Sequence, residues 1–184
     1  MNKADYLYAG IPIALRALVT DKRHIIEGIL QSERGLFLSG GTGTGKTVLL
    51  ASIARAIIDQ GFHRAAAIPD YMFVSFPWLV LELQADYEHA MSVLRRHSKT
   101  EFLFLDDIGA EKTTDFVKQC FYALLDAREK NNKKTYITSN LTLDQIATIY
   151  DQRISSRIGG NCEIVYTSGA DMRLKGGGRN AATR

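Results

Sequence analysis

Four groups of residues in this chain have types and spacings suited to phosphate chemistry. The first is Gly40-Gly41-Thr42-Gly43-Thr44-Gly45-Lys46-Thr47. It fits G-x-x-x-x-G-K-S/T, the phosphate-binding P-loop. Glycines let a backbone approach a triphosphate without Cβ clashes. The loop N–H groups, and the N-terminus of a helix after the loop, supply an anion site. Lys46 would reach the β- and γ-phosphates of ATP, and the Thr47 hydroxyl would ligate Mg2+. The stretch from Gly40 to Val48 is therefore the expected nucleotide-binding segment.

The second group is Asp106-Asp107, which comes after four apolar residues. Mg2+ takes hard oxygen ligands and keeps several waters, so one carboxylate commonly suffices. Asp106 would hold the metal, directly or through water. Asp107 would orient or deprotonate the attacking water. On their own, two aspartates at a strand end read as a turn or a helix cap; a P-loop about sixty residues upstream favours the metal. The third group is Thr138-Ser139-Asn140, where the Asn140 amide could hydrogen-bond a γ-phosphate or the water, or simply cap the next helix or turn. The fourth is the pair Arg153 and Arg157, four apart on one helical face. Arginine suits bidentate binding of phosphate oxygens, and a finger supplied by a neighbour adds large rate factors. The competing reading is a solvated basic face making surface ion pairs.

These groups need elements to place them. Gly35-Leu36-Phe37-Leu38-Ser39 reads as a buried strand leading into the loop, and Val48 to Ile58 as the helix leading out. Ile53, Ala54, Ile57 and Ile58 form its core face, with Gly61 as its cap. Upstream, Pro12 opens a short helix carrying Leu15, Leu18 and Val19. A second helix runs from Asp21 to Ser32, with Ile25, Ile26, Ile29 and Leu30 on one side. Tyr71 to Phe76 is a second strand ended by Pro77. One helix is predicted from Trp78 to Lys99, with Leu79, Leu83, Met91 and Leu94 apolar. Phe102 to Leu105 is the third strand, ending in Asp106-Asp107. A helix over Thr114 to Lys130 places Phe116, Cys120, Ala123 and Leu124 at helical spacing. Thr135 to Ser139 is a fourth strand ending at Asn140, and Cys162 to Thr167 a fifth. Short helices over 142–150 and 151–158 close at Gly159-Gly160. The tail, Arg173 to Arg184, is Gly-rich and basic, and is expected to be mobile.

Strands alternating with helices predict an α/β sandwich with a mainly parallel five-stranded sheet. In such sheets the ligand lies beyond the carboxyl ends of the strands. Three strand ends here carry the polar groups described above. The expected organisation is N-terminal helices over 1–34, a P-loop core over 35–168 and a basic tail over 169–184. With 184 residues, 46% hydrophobic and 23% charged, the chain suits one soluble domain with a real core. No apolar run approaches the roughly 20 residues that span a bilayer. The N-terminus, Met1-Asn2-Lys3-Ala4-Asp5, carries an acid and no long apolar run, so no signal peptide is expected. Cys120 and Cys162 lack CxxC spacing, which predicts two buried thiols in a reducing, cytoplasmic setting. A net charge of +3 permits contact with nucleic acid without arguing for it.

The ordered set GGTGTGKT, FLFLDDIGAEK, TYITSN and DQRISSRI resembles the AAA+ ATPases of the initiator and helicase-loader clade. It is most similar to bacterial DnaC-type loaders and IstB-type transposition helpers. The resemblance runs from Tyr8-Ala9-Gly10-Ile11-Pro12 to Arg173-Leu174-Lys175, with Leu105-Asp106-Asp107-Ile108-Gly109-Ala110-Glu111 its most specific piece. It implies an AAA+ sandwich with the lid domain reduced or absent. It implies that Lys46 and Thr47 form Walker A, that Asp106 and Asp107 form Walker B, and that Asn140 is sensor 1. Arg157 would be an arginine finger acting in trans, with Arg153 one turn before it and also near nucleotide; Arg173 resembles a sensor 2 arginine. ATP and Mg2+ would be the cofactors. The implied partners are single-stranded DNA, a replicative helicase or a transposase, and further copies of the chain in an ATP-dependent homo-oligomer, with no membrane. Trp78, Tyr87, Arg95, Arg96 and Lys99 fall where the clade's helical insertion tracks single-stranded DNA. Aromatics with positive charge suit that task, while the competing reading buries Trp78 and leaves the arginines as a solvated helix end.

About 34 residues precede the first strand, fewer than the helicase-gripping domain such loaders usually carry. That leaves helicase loading the less secured part of the expectation and ATP binding untouched. Two other classes stay open: a small P-loop kinase for a metabolite, and a nucleotide-dependent interaction module with negligible turnover. A kinase needs an acceptor pocket and a phosphate-gripping lid, and has no use for a strand-end Asn140 or a paired-arginine helix. Asp107 and Arg157 argue against the module.

Overall fold

A computed structural model of the chain describes residues 10–16, 23–65 and 69–168. Leu18, Val19, Asp21, the Tyr8-Ala9 end of the resemblance, and the tail with Arg173 lie outside the described residues.

The apolar runs form five strands: β1 (Gly35–Gly40), β2 (Tyr71–Ser75), β3 (Phe102–Ile108), β4 (Lys134–Ser139) and β5 (Cys162–Thr167). Every pairing is parallel, in the order β2-β3-β4-β1-β5. β1, β4 and β3 are thus neighbours, and their carboxyl ends bring the P-loop, Asn140 and the two aspartates to one rim.

Strand side chains alternate between faces. Leu36, Leu38, Phe104 and Tyr136 bury on one face with Leu50, Ile53, Ala54 and Ile58 of α3 (Lys46–Ala65). Ile11 and Ile29 join that layer; Ile11 lies just before α1 (Ile13–Arg16), and Ile29 is on α2 (Arg23–Gln31). Phe37, Leu103, Leu105 and Ile137 bury on the other face. There they meet α4 (Phe76–Leu83), α5 (Tyr87–Lys99), α6 (Asp115–Lys130), α7 (Leu143–Ile149) and α8 (Gln152–Asn161). This is the three-layer sandwich the sequence predicts. Cys120 and Cys162 are buried and free. Among the described residues no helix is long and apolar enough to cross a membrane.

Several boundaries differ from expectation, each for a local reason. Gly61 lies inside α3 and does not cap it. A Cβ there would meet Pro69 at 3.0 Å, so close packing selects the glycine. The predicted single helix from Trp78 to Lys99 is two. Pro77 sits in the first turn of α4, where a missing N–H costs nothing. Asp86 caps α5 by accepting from the His89 N–H at 2.8 Å. On α5 the buried positions are Ala90, Val93 and His97, with Met91 and Leu94 half-buried. On α6, Cys120 and Leu124 are buried as expected, but Phe116 is 40% exposed and Ala123 is exposed. The packed stripe adds Val117, Phe121, Leu125 and Arg128. β3 runs on through Asp106 and Asp107 to Ile108. Gly159 and Gly160 lie within the last turn of α8. Their carbonyls accept from Arg34 Nη2 at 2.6 and 3.1 Å, which satisfies the helix end without a glycine stop.

Candidate nucleotide site

The loop between β1 and α3 turns through Gly43 and Gly45 at φ 75° and 84°, left-handed conformations that favour glycine. The Thr44 hydroxyl hydrogen-bonds the Gly41 carbonyl at 2.9 Å and shares a 3.0 Å bond with the Thr167 hydroxyl on β5. Lys46 stands at the first position of α3. Its ammonium donates to the Gly40 and Gly41 carbonyls, both at 2.8 Å, and to Asn140 Oδ1 at 2.7 Å. These are acceptors that phosphate oxygens can replace.

Asn140 comes directly after β4. Its Nδ2 donates to Asp107 Oδ1 at 3.5 Å. The amide therefore joins the loop lysine to the second aspartate across three strand ends. Asp106 is half-buried, and its Oδ1 accepts from Thr138 Oγ1 at 2.6 Å. Burial pushes the Asp106 carboxyl above its ordinary range; hydrogen bonds from Thr138 and Thr47 pull the other way, and the Asp107 charge pushes it up again. A hollow of about 320 Å³ opens over the loop, with Gly43, Lys46, Thr47, Val48, Asp107 and Asn140 in its wall beside Thr42, Gly45 and Leu15. Gly40, Gly41 and Thr44 belong to the same loop but do not line the hollow.

The donor set fits ATP with Mg2+. The loop amides and Lys46 suit the phosphates. The Thr47 hydroxyl stands close enough to the Asp106 carboxylate to pull its pKa down, so both could face one cation. Among the described residues no cluster of three or more His, Cys, Asp or Glu could hold a metal by itself. A hydroxyl, one carboxylate and phosphate and water oxygens make the ligand set Mg2+ prefers.

The arginine pair lies elsewhere. Arg157 pairs with Asp126 and Glu129 of α6, and its Nη2 also donates to the Tyr122 hydroxyl at 3.0 Å. Arg153 pairs with Asp151 at 3.0 Å. Both guanidinium groups sit 4.9 Å from the Tyr122 ring centroid, one a turn beyond the other. They line an open hollow with Glu129, Ser155 and Ser156, not the wall of their own chain's nucleotide hollow. Arg153, expected near nucleotide, does not line the hollow of its own chain.

On α4 and α5, Trp78 is 72% and Tyr87 77% exposed, which overturns the reading of Trp78 as core. Arg95, Arg96 and Lys99 are exposed as well, and Arg96 lies 3.8 Å from Glu82, one turn along α4 from Trp78.

Sequence reasoning missed three contributors. Leu15 reaches the nucleotide hollow. Thr167 braces the loop through Thr44, with its hydroxyl also 3.2 Å from the Ser39 carbonyl. Glu111, just past β3, accepts from the Gly109 N–H at 3.1 Å and from the Tyr150 hydroxyl. Glu111 stood inside the DDIGAEK run, but its partner lies 39 positions away and carries no local signal.

Comparison with known proteins agrees with this geometry. The family model described as "IstB-like ATP binding protein" matches residues 26–180. The chain is 29% identical over 153 residues to "Uncharacterized protein YqaM" of Bacillus subtilis (strain 168), covering 78% of this chain and 46% of that protein. It is 31% identical over 116 residues to "Replicative helicase loader DnaI" of the same organism, covering 61% of this chain and 35% of that one. The chain thus spans half or less of the length of these relatives. The crystal structure of DnaI superposes with a TM-score of 0.68 at 26% identity, covering 85% of this chain and 88% of that one. The parallel sheet, the P-loop and the strand-end residues are those of an AAA+ fold, and the chain belongs to the IstB-like ATP binding protein family.

Proposed function

We propose that this chain binds and hydrolyses ATP with Mg2+ and uses that cycle to assemble on DNA in the cytoplasm, as a helicase-loader-like or transposition-helper factor. The line Lys46–Asn140–Asp107 carries the reading. It gathers an ammonium, an amide and a carboxylate around one hollow, groups that support phosphoryl transfer to water. The working unit is the core over 35–168. Lys46 and the loop amides bind the phosphates. Thr47 and Asp106 would hold the metal, which would neutralise charge on the phosphates. Asn140 orients the attacking water, and Asp107 takes its proton. Arg157 completes the site of a second copy, exchanging Asp126 and Glu129 for phosphate oxygens. Trp78, Arg95, Arg96 and Lys99 offer a single strand an aromatic face and positive charge. Family membership supports ATP, and the name of the DnaI relative supports a replication setting.

The test combines calorimetry of ATP binding with phosphate release, with and without single-stranded DNA and with candidate small acceptors. Lys46→Ala should weaken ATP binding by removing a charge-assisted contact. Asp107→Asn should keep binding and lose turnover by roughly 10²–10⁴-fold. Phosphate moved to a small acceptor would identify a kinase instead, and binding with negligible turnover under every condition would identify an interaction module.

A further inference from the structure

β3 and β4 pair in register from Phe102–Lys134 to Leu105–Ile137, and pairing resumes at Ile108–Ser139. Two residues, Asp106 and Asp107, therefore stand opposite one, Thr138. This is a β-bulge, and bulges re-aim side chains beside functional sites. In a regular strand adjacent side chains point to opposite faces. Here both carboxylates attend the same rim: Asp107 lines the hollow, and Asp106 bonds to Thr138 beside the loop hydroxyl of Thr47. The bulge has a cost. Asp107 is held at φ 65°, which few non-glycine residues adopt.

Thr138 Oγ1 holds both members of the bulge. It accepts from the Asp107 N–H at 2.9 Å and donates to Asp106 Oδ1 at 2.6 Å. The partners fix the roles: an amide can only donate and a carboxylate accepts, so the single hydroxyl proton points at Asp106. Thr138 is 1% exposed, so water does not compete for either bond. The neighbouring hydroxyls are occupied elsewhere. Ser139 donates to the Ile108 carbonyl at 2.6 Å, and Ser39 to the Leu141 carbonyl at 2.8 Å.

We infer that Thr138 is the positioning residue of the acidic pair: its one hydroxyl aims Asp106 at the cation and holds the bulged Asp107 toward the water. The inference rests on the reading of the site as one for ATP with Mg2+. Thr138 touches neither nucleotide nor metal and acts through the two aspartates. Outer partners of this kind typically contribute 10–100-fold to metal affinity or activity.

The experiment uses the full chain and three variants. Thr138→Val keeps the branched shape and removes the hydroxyl. Thr138→Ser keeps the hydroxyl. Thr138→Cys replaces it with a weak donor of similar volume, and substitutes for Thr138→Val if that variant melts too low to assay. ATP affinity is measured by calorimetry in EDTA and in Mg2+, and turnover is split into kcat and KM. Thr138→Val should bind ATP in EDTA like the parent, because Lys46 and the loop are untouched. It should lose roughly 10–100-fold of the gain that Mg2+ confers on ATP affinity and a similar factor in kcat. Thr138→Ser should restore both to within a few-fold of the parent, about the spread expected for a kept hydrogen bond with a lost methyl. Unchanged Mg2+ dependence and kcat in Thr138→Val would overturn the inference while leaving the ATP site standing. So would a folded Thr138→Ser that fails as badly as Thr138→Val, since the hydroxyl would then not be the active part. A parent chain without Mg2+-dependent ATP binding would overturn the reading of the site and this inference with it.

Discussion

At the scale of the residue, the site is built from groups whose partners limit what they can do. Asp107 has its backbone held by Thr138 and its carboxylate next to the Asn140 amide. A single O-to-N change at Asp107 therefore tests chemistry without moving backbone. Away from the site, His97 is buried, with Nδ1 2.7 Å from the Val93 carbonyl. Burial lowers its pKa below the ordinary 6.5; the Val93 bond opposes this, and Arg96 and Arg128 add to it. Unfolded chains take up a proton on His97 as the pH falls through 6.5, and folded chains resist it. Stability is thus fully present above that value and declines on acidification below it. Melting temperature measured between about pH 8 and about pH 5 should show this loss, and His97→Asn should flatten it. An equally steep acid limb in His97→Asn would assign the loss to carboxylates instead.

At the scale of the element, each helix end and strand is placed by the partners it finds in three dimensions. Arg128 on α6 is 1% exposed. It donates to the His97 and Thr100 carbonyls at 2.6 and 2.8 Å, to the Lys134 carbonyl at 2.5 Å and to Thr135 Oγ1 at 2.8 Å. It thereby ties the end of α5 and the start of β4 to α6. Burial lowers its pKa to about 10, which leaves it charged at neutral pH. Arg128→Met fills the volume but leaves several buried carbonyls unpaired, at about 1–3 kcal/mol each. It should cost at least about 3 kcal/mol in denaturant midpoints. A change under about 1 kcal/mol would mean those carbonyls find water. The same logic explains what could be read from the sequence. Lys46, Thr47, Asp106, Asp107 and Asn140 were legible because each sits in a local run whose end the sheet order then gathers. The roles of Thr138 and Arg128 were not, because both depend on a register slip or a contact between distant strands and helices. Gly61 misled as a helix stop because close packing against Pro69 selects it inside α3, and Gly159 and Gly160 because Arg34, 125 and 126 positions away, donates to the helix-end carbonyls. On α6 the spacing located Cys120 and Leu124 but not the width of the stripe, so Phe116 and Ala123 were placed inward.

At the scale of the whole molecule, the nucleotide hollow and Arg157 belong to different parts of one surface. Lys46, Asp106, Asp107 and Asn140 share the rim over β1, β3 and β4, while Arg157 is paired on α6 with Asp126 and Glu129. On the proposed reading, a second copy supplies the arginine that one copy keeps away from its own nucleotide hollow. The central claim is therefore hydrolysis at a site shared between copies. If association brings the arginine to a neighbour's site as proposed, turnover should depend on protein concentration. Weakening the Arg157 pairing with Asp126→Asn and Glu129→Gln together should move that dependence to lower protein concentration, read as the concentration at half-maximal specific activity. A shift to higher concentration would mean the pairing shapes the interface instead of restraining the arginine.

The most direct measurement is specific ATPase activity against protein concentration for the parent, for Lys46→Ala, for Arg157→Ala and for an equal mixture of the two variants. The account predicts activity per chain that rises with concentration in the parent and is lost in each variant alone. It predicts partial recovery in the mixture, where one variant offers an intact nucleotide site and the other an intact arginine. Single-stranded DNA should raise the parent's activity further by aligning copies along the strand. Activity per chain that stays flat with concentration, together with no recovery in the mixture, would contradict it and make Arg157 an ordinary structural arginine of a protein that works as a single copy.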